Sequence, residues 1–311
     1  MPLHRKQLFD LIRPHLKSPP GMTQDLVRAI DAALDQAGVP RDSPPAPPAP
    51  PAQPSPPAQP SPPAQPATPA PPATPAPSAP APPAGRLDVA RLRQRLGLPA
   101  AGGFDAATRQ AMLARLSNRN AAPLTSDDFD RAAAELGVSV QMIRAVRKVE
   151  APRGAFDSQG RPSILFERHV FARNTTPRGR FNTSNPLLCG PPFGPGGYGS
   201  FASQYGKLAD ACALDPEAAF RACSWGAFQI LGENAVSIGY ASAFDMALAL
   251  TVGEAAHLDS FIRFVRSKNL VDELRACRPG NATSCIPFVR GYNGQGFATF
   301  KYHEKLAQAA L

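Results

Sequence analysis

One glutamate of this 311-residue chain occupies a position in which a carboxyl group could serve as an acid catalyst. Ile143, Val146 and Glu150 are spaced i, i+3 and i+7, so a helix would place them on one face. A carboxyl group at the buried end of an apolar face is poorly solvated, and its pKa should rise toward the range that a general acid needs. An ion pair with one of the many arginines would instead give Glu150 a structural role. The sequence leaves both interpretations open.

Two distant segments combine small residues with aromatic and amide side chains. Residues 224–230 read SWGAFQI and residues 290–294 read RGYNG. Such surfaces can accommodate a sugar chain, although a Trp or Tyr in a helical domain is more often in the core and Asn-Gly is more often a turn. The candidate binding residues are Trp225, Gln229, Tyr292 and Asn293.

These residues belong to a segment of continuous globular character that spans 121–311. Thr125 and Asp128 form a capping box that predicts the start of a helix. Residues 152–200 are rich in Gly, Pro, Asn and Ser, which predicts loops with a short strand at 163–166. Hydrophobic periodicity predicts helices over 126–136, 139–150, 203–213, 216–224, 242–251, 253–268 and 298–310. The expected fold is mainly α (α+β), with a small β or irregular flap.

The N-terminal part divides into three pieces. Residues 1–42 predict two short amphipathic helices, at 6–16 and 23–37, which would form a docking or wall-binding appendage. Residues 43–85 carry no charge and consist mainly of Pro and Ala, which predicts an extended polyproline II spacer. Residues 86–120 predict a pair of helices around a Gly-Gly-Phe turn. The chain is therefore expected to be modular.

Composition excludes some functions and leaves others open. The net charge is +9, and residues 86–120 hold seven Arg against two Asp. A basic module suits nucleic acid, an acidic membrane surface or anionic wall polymers, and it can also be an ordinary solubilising surface. Basic and aromatic residues are not interleaved as in nucleic-acid readers, so we expect no nucleic-acid partner. No stretch approaches the ~20 apolar residues of a membrane span, so we expect no stable membrane insertion.

The five cysteines contain no CxxC pair, so we expect no structural zinc site. Nothing else in the sequence suggests a metal or a cofactor, and we expect neither. Cys277 and Cys285 bracket a short loop. They could form a disulfide in an oxidising compartment or remain reduced.

The motifs of residues 125–311, taken in order, resemble the lysozyme-like superfamily of goose-type lysozymes and lytic transglycosylases. They are most similar to the N-acetylmuramidase family of phage endolysins. The matching segments are IRAVRKVEA, FDSQGRPSILFERHVF, SNP, GGYG, QYGKLADACALDPEAAFRACSWGAFQILGENA and VRGYNGQGFATFKYHEKLA. Upstream, RLRQRLGLPAAGGFDAATRQAML resembles about half of a peptidoglycan-binding module.

The resemblance implies a lysozyme-like catalytic domain that cleaves the β-1,4 bond between N-acetylmuramic acid and N-acetylglucosamine. Glu150 matches the catalytic glutamate and would protonate the leaving oxygen. A second carboxylate is expected in a glycosidase, and Glu167 is the best candidate, with a salt bridge to Arg168 or another arginine that fixes the flap as its structural alternative. Asp157 is the next candidate and is counted among the substrate-binding residues. Tyr292 would stabilise a charged intermediate or, like Gln229 and Asn293, bind sugar or hold Glu150 in position.

Other functions remain possible at this point. Without a positioned base the substrate's N-acetyl group could act instead, which would make the protein a lytic transglycosylase with 1,6-anhydro products. A wall-binding or phage structural protein without activity is the non-enzymatic alternative. The N-terminus lacks the apolar run of a signal peptide. We therefore expect a monomer made in a bacterial host's cytoplasm, as a phage lysin or a bacterial effector, that acts on peptidoglycan in the periplasm and cell wall after release.

Overall fold

The structure, a computed structural model, describes residues 86–192 and 198–311. The helices predicted at 6–16 and 23–37, the spacer at 43–85 and part of the GGYG motif lie outside the described residues. The α-helices are α1 Val89–Arg95, α2 Ala106–Arg115, α3 Ser126–Leu136, α4 Val140–Glu150, α5 Arg168–Asn174, α6 Gln204–Leu214, α7 Pro216–Arg221, α8 Ala243–Leu250, α9 Glu254–Ser267, α10 Val271–Ala276, α11 Ile286–Asn293 and α12 Tyr302–Ala309. The strands are β1 Ile164–Phe166, β2 Cys223–Trp225 and β3 Ile230–Leu231.

The strands form one small antiparallel sheet in the order β1-β2-β3. A turn of 3₁₀ helix, Gly226–Phe228, joins β2 to β3. The remaining described structure is helical or irregular, and the sheet contacts it through β1 against α6 and β3 against α9. The prediction of a mainly α fold with a small β flap is confirmed.

The helix that ends at Glu150 is fixed by its neighbours in sequence. The predicted capping box is present: Asp128 N–H bonds to the Thr125 hydroxyl, and the Asp128 carboxylate accepts from the Thr125 N–H. Gly137 ends α3 in the left-handed conformation, and a side chain there would collide with Arg275. Ser139 then caps α4 through its hydroxyl. The caps of α3 and α4 and the turn at Gly137 therefore fix the course of α4.

Several element boundaries differ from the sequence prediction. Helix α7 ends at Arg221 and not at residue 224, because Cys223–Trp225 pairs with β1 as the middle strand. The last helix begins at Tyr302 and not at residue 298, since Lys301 adopts the left-handed conformation. Helices α5, α10 and α11 were not predicted. Each is six to eight residues long, too short for hydrophobic periodicity to stand out.

Residues 86–118 pack directly against the rest of the chain. Leu92 of α1 and Met112 of α2 have no exposed surface and belong to the same buried hydrophobic cluster as the core of the larger domain. The Glu217 N–H donates to the Leu87 carbonyl at 3.1 Å, and the Asn118 N–H donates to the Gly160 carbonyl at 2.8 Å. Three ion pairs cross the same boundary: Arg86–Asp215, Arg95–Asp245 and Arg109–Asp210.

Cys277 and Cys285 form a disulfide. It joins the residue after α10 to the residue before α11, so it fixes the start of the helix that ends at Asn293. The remaining cysteines are buried thiols. No helix among the described residues is long and apolar enough to cross a membrane.

Candidate active site

Glu150 is the last residue of α4 and lies half-buried at the end of that helix's apolar face. Its Oε1 accepts a hydrogen bond from the Asn293 side-chain amide at 2.8 Å. Burial raises its pKa from the ordinary 4.5 to about 7, while the Asn293 hydrogen bond and the positive charge of Lys305 act in the opposite direction. Within residues 86–192 and 198–311 no arginine forms an ion pair with Glu150. The carboxyl group is therefore largely protonated at pH 6, the state that a general acid requires.

The surroundings of Glu150 explain this pKa. A narrow pocket beside the carboxyl group is walled by Val146 and Val149 from α4 and by Tyr302 and Leu306 from α12. These mostly apolar side chains offer little solvation to a carboxylate. An ion pair between Arg147 of α4 and Glu254 of α9, at 2.6 Å, ties the helix to the core one turn before Glu150.

Tyr292 lies against the core beside Asn293. Its hydroxyl donates to the Phe228 carbonyl at 2.6 Å. Its ring packs against Phe261, Phe264 and Phe288. Burial raises the pKa of Tyr292 well above its ordinary value, so the phenol keeps its proton. In this arrangement the hydroxyl proton of Tyr292 is donated to the backbone carbonyl of Phe228.

Gln229 follows the 3₁₀ turn in a left-handed conformation with φ of 48°. Its side-chain amide donates to the Gly226 carbonyl at 2.8 Å and to the Ser163 carbonyl at 3.3 Å. Both N–H groups of the amide thus face backbone carbonyls, one in the 3₁₀ turn and one in the residue that precedes β1. The amide oxygen is the part of this side chain that remains to accept a bond from a ligand.

Trp225 is placed in the core. The side chain is 1% exposed, its ring stacks on Phe220 with centroids 5.9 Å apart, and its indole N–H donates to the Phe220 carbonyl at 3.1 Å. No face of the ring is open to a sugar. The structure therefore does not bring Trp225 together with Glu150 and Asn293 as a binding surface.

Glu167 directly follows β1. Its Oε1 accepts from the Ser224 hydroxyl at 3.1 Å, and its Oε2 lies 3.5 Å from His169 Nε2. Arg168 instead points inward and donates to the Cys189 carbonyl at 2.9 Å. The alternative of a Glu167–Arg168 salt bridge is therefore not what the structure shows.

Asp157 stabilises a turn. Its carboxylate accepts the N–H groups of Gln159 and Arg161 and pairs with the Arg161 guanidinium at 2.7 Å. Arg161 in turn lies over the ring of Tyr205, 4.1 Å from its centroid. These contacts engage both carboxylate oxygens, so Asp157 is held as part of the loop that follows α4.

The profile of the N-acetylmuramidase family matches residues 139–311, which is more than half of the chain and includes Glu150, Gln229 and Asn293. The chain belongs to the N-acetylmuramidase family. The crystal structure of the Burkholderia AP3 phage endolysin matches with a TM-score of 0.52 and 31% identity, over 72% of this chain and 95% of that one. A search of curated proteins gave no match. The muramidase is a glycosidase that hydrolyses peptidoglycan, and the resemblance to phage endolysins is confirmed.

His257 of α9, which no sequence motif indicated, contacts the turn that joins β2 to β3. Its Nδ1 accepts the Ala227 N–H at 2.9 Å, and its Nε2 lies 2.7 Å from the Leu250 carbonyl. Burial lowers its pKa to about 4, so the ring is neutral at neutral pH. Its spacing from Phe261 and Phe264, i+4 and i+7, was the available signal, but a histidine on an apolar face is usually read as a core residue.

Replacing Glu150 with Gln should stabilise the muramidase at about pH 8 but not at about pH 4. The pKa of Glu150 is about 7 in the folded protein against an ordinary 4.5, so the unfolded chain ionises first as the pH rises. This group's contribution to stability is complete below its ordinary pKa and is lost as the pH rises through about 7. The loss approaches about 3 kcal/mol, since one pKa unit corresponds to about 1.4 kcal/mol. Thermal unfolding of wild type and E150Q across this range measures the difference.

His257 titrates with the opposite sign and must be separated from Glu150. Its folded pKa of about 4 lies below the ordinary 6.5, so the unfolded chain binds more protons between these values and stability rises with pH there. Both proteins contain His257, so its contribution cancels in their difference. If wild type and E150Q keep a constant difference in melting temperature at every pH, Glu150 titrates as an ordinary carboxyl group.

Proposed function

We propose that this muramidase cleaves the β-1,4 bond between N-acetylmuramic acid and N-acetylglucosamine, with Glu150 as the general acid. The observation that carries the proposal is the carboxyl group at the end of α4, held by Asn293 and kept protonated by an apolar pocket. A glycosidic oxygen is a poor leaving group until it receives a proton. A carboxyl group with a pKa near 7 can both hold that proton and release it.

The Asn293 hydrogen bond also orients the acid. Oε1 accepts the bond from the Asn293 amide, so the proton of the neutral carboxyl group belongs on Oε2. The proton is then directed away from Asn293 and is available to the leaving oxygen of a bound glycan. As the bond breaks, Glu150 becomes a carboxylate, which the Asn293 N–H and the charge of Lys305 stabilise.

Glu167 is the proposed second carboxylate. Both oxygens of Asp157 bind Arg161 and the backbone of the turn. Glu167 lies at the end of β1, where its Oε1 accepts from the Ser224 hydroxyl of the neighbouring strand and its Oε2 lies 3.5 Å from His169 Nε2. It would activate water or stabilise the positive charge that develops on the sugar. In a digest, this role gives hydrolysis and a muramic acid reducing end.

Peptidoglycan is the substrate, and we propose that the enzyme reaches it in the periplasm and cell wall after release from the cytoplasm of a bacterial host. The relationship to a phage endolysin supports this site of action. The enzyme would act there as a monomer, because Glu150, Asn293 and Gln229 are all positioned by the chain's own helices and turns.

The proposed bond specificity is tested by mass spectrometry of glycan fragments after borohydride reduction. Purified peptidoglycan is digested in parallel with wild type and with E150Q. Wild type should produce fragments that end in reduced muramic acid, and E150Q should produce about 10²- to 10⁴-fold less of them in the same time. Fragments that end in reduced glucosamine would place the cut at the other glycosidic bond. Anhydro-muramic ends, which borohydride does not reduce, would show a transglycosylase.

A further inference from the structure

His257 lies directly beneath the turn that joins β2 to β3. It is 2% exposed, and its two ring nitrogens face two different backbone groups: Nδ1 accepts from the Ala227 N–H, and Nε2 donates to the Leu250 carbonyl. The donor at Nε2 follows from the acceptor at Nδ1, since a neutral imidazole carries one N–H. The ring therefore connects the turn to the end of α8.

The turn is shaped to receive this ring. Gly226 has a φ of +73°, and a Cβ on it would lie 2.5 Å from His257 Nδ1. Its N–H donates to the Ser163 carbonyl at 2.7 Å. Phe261, one turn after His257 on α9, stacks on Phe228 with centroids 4.6 Å apart. One face of α9 thus holds the turn at two consecutive residues, Ala227 through a hydrogen bond and Phe228 through its ring.

Two hydrogen bonds connect the Gly226–Phe228 turn with Glu150 through neighbouring residues of α11. The Phe228 carbonyl accepts the Tyr292 hydroxyl at 2.6 Å, and Asn293, which follows Tyr292, donates to Glu150 at 2.8 Å. Phe264, further along the same face of α9, meets the Tyr292 ring edge-on at 5.3 Å. The position of Asn293 is therefore set by a turn whose own position depends on His257.

We propose that His257 is a positioning residue for Glu150: its Nδ1 fixes the Gly226–Phe228 turn, which fixes Tyr292 and so aims the Asn293 amide at the carboxyl group. This inference rests on the proposed function of Glu150. His257 does not touch the substrate or the reacting atoms. Its contribution reaches the reaction through the orientation of the acid, so its loss should reduce kcat more than it changes KM.

Two substitutions separate the two nitrogens. In H257N the side-chain oxygen lies near the place of Nδ1 and can still accept from Ala227, while the bond to Leu250 is lost. In H257Q the amide nitrogen lies near the place of Nε2 and can still donate to Leu250, while the bond to Ala227 is lost. Each variant loses one buried hydrogen bond, so the two should be destabilised to a similar extent.

The experiment measures kcat and KM of the full chain on soluble glycan, corrected for the folded fraction found by thermal unfolding. We expect H257N to stay within about threefold of wild type, whereas H257Q should lose about tenfold or more in kcat with KM within about twofold. Equal kcat values for the two variants would overturn the inference. E150Q is assayed alongside: if it is active, the proposed function fails, whereas equal H257N and H257Q beside an inactive E150Q defeats the inference alone.

Tyr292→Phe keeps the test decisive if either histidine variant does not fold. It removes the hydroxyl that meets the Phe228 carbonyl and retains the ring that packs on α9. We expect Tyr292→Phe alone, which needs neither histidine variant, to lose about tenfold in kcat. Where H257Q folds, the double variant should lose less than the product of the two single losses, because both act through one turn. Wild-type kcat in Tyr292→Phe, or fully multiplicative losses, would contradict the proposed chain of contacts.

Discussion

Replacing Glu150 with Gln is expected to lower kcat by about 10²- to 10⁴-fold, the usual contribution of a general acid. Glutamine has nearly the same shape, and its carbonyl oxygen can still accept the Asn293 hydrogen bond seen at Oε1. It cannot release a proton to the leaving oxygen. Substrate binding should therefore persist with KM little changed, and the loss should appear in the catalytic step. The measurement is the release of reducing ends from purified peptidoglycan at about pH 6, where the pKa of about 7 leaves Glu150 mostly protonated.

Glu135→Gln is the matched control for this substitution. Glu135 lies on α3 and pairs with Arg266 at the surface, so the same chemical change is made away from the pocket and should leave kcat unchanged. Wild-type activity should also fall as the pH rises above about 7, because Glu150 then loses its proton. A kcat for E150Q above about a tenth of the wild-type value would mean that another group supplies most of the proton transfer.

The position of Glu150 could be predicted because it depends on local pattern. The i, i+3, i+7 spacing places it on the buried face of α4, where Ile143 and Val146 have at most 1% of their surface exposed. Its partner Asn293 comes from a helix 143 residues away. The sequence indicated Asn293 as a sugar ligand or as a support for Glu150, and only the packing of α11 places it against the carboxyl group.

The positions of Trp225 and His257 could not be predicted, because both depend on contacts between residues that are far apart in the sequence. The helical pattern before Trp225 continues to residue 224 in the sequence, but pairing of Cys223–Trp225 with β1 ends the helix and turns the indole inward. His257 likewise depends on a distant contact. It accepts a hydrogen bond from the backbone N–H of Ala227, 30 residues earlier, and no sequence pattern predicts that bond. Local pattern therefore predicts Glu150, whereas contacts between residues distant in sequence, such as the one between His257 and Ala227, do not follow from it.

Most arginines of the basic segment 86–120 form hydrogen bonds or ion pairs within the fold. Arg93 is 7% exposed and donates within its own module to the carbonyls of Pro99 and Gly103. Three further arginines pair with aspartates of the larger domain: Arg86, Arg95 and Arg109. Arg91 donates to the Arg86 carbonyl and Arg119 to the Gln159 side chain, so six of the seven arginines have a hydrogen-bonding or ionic partner in the fold. Less charge remains to attract an anionic wall polymer than the sequence suggested.

A chain that begins at Arg119 should unfold at a melting temperature more than about 10 °C below that of a chain that begins at Arg86. Removing residues 86–118 takes away Leu92, Met112 and other fully buried side chains of the common core. Each such residue contributes about 1.5–3 kcal/mol by burial, in a protein whose total stability is of the order of 5–15 kcal/mol. For a domain of this size about 1 kcal/mol corresponds to about 2–4 °C. The measurement is thermal unfolding of both chains.

Activity on two substrates distinguishes a structural from a wall-binding role for the same residues. If α1 and α2 stabilise the catalytic domain, the chain that begins at Arg119 should lose activity equally on intact sacculi and on short soluble glycans, because the whole domain is destabilised. If they serve to bind the wall, the loss should be confined to sacculi and the melting temperature should not change. The shared core and the ion pairs across the boundary favour equal loss. Asp210, Asp215 and Asp245 would also lose their arginine partners in the shortened chain, so the ion pairs are lost together with the buried core contacts.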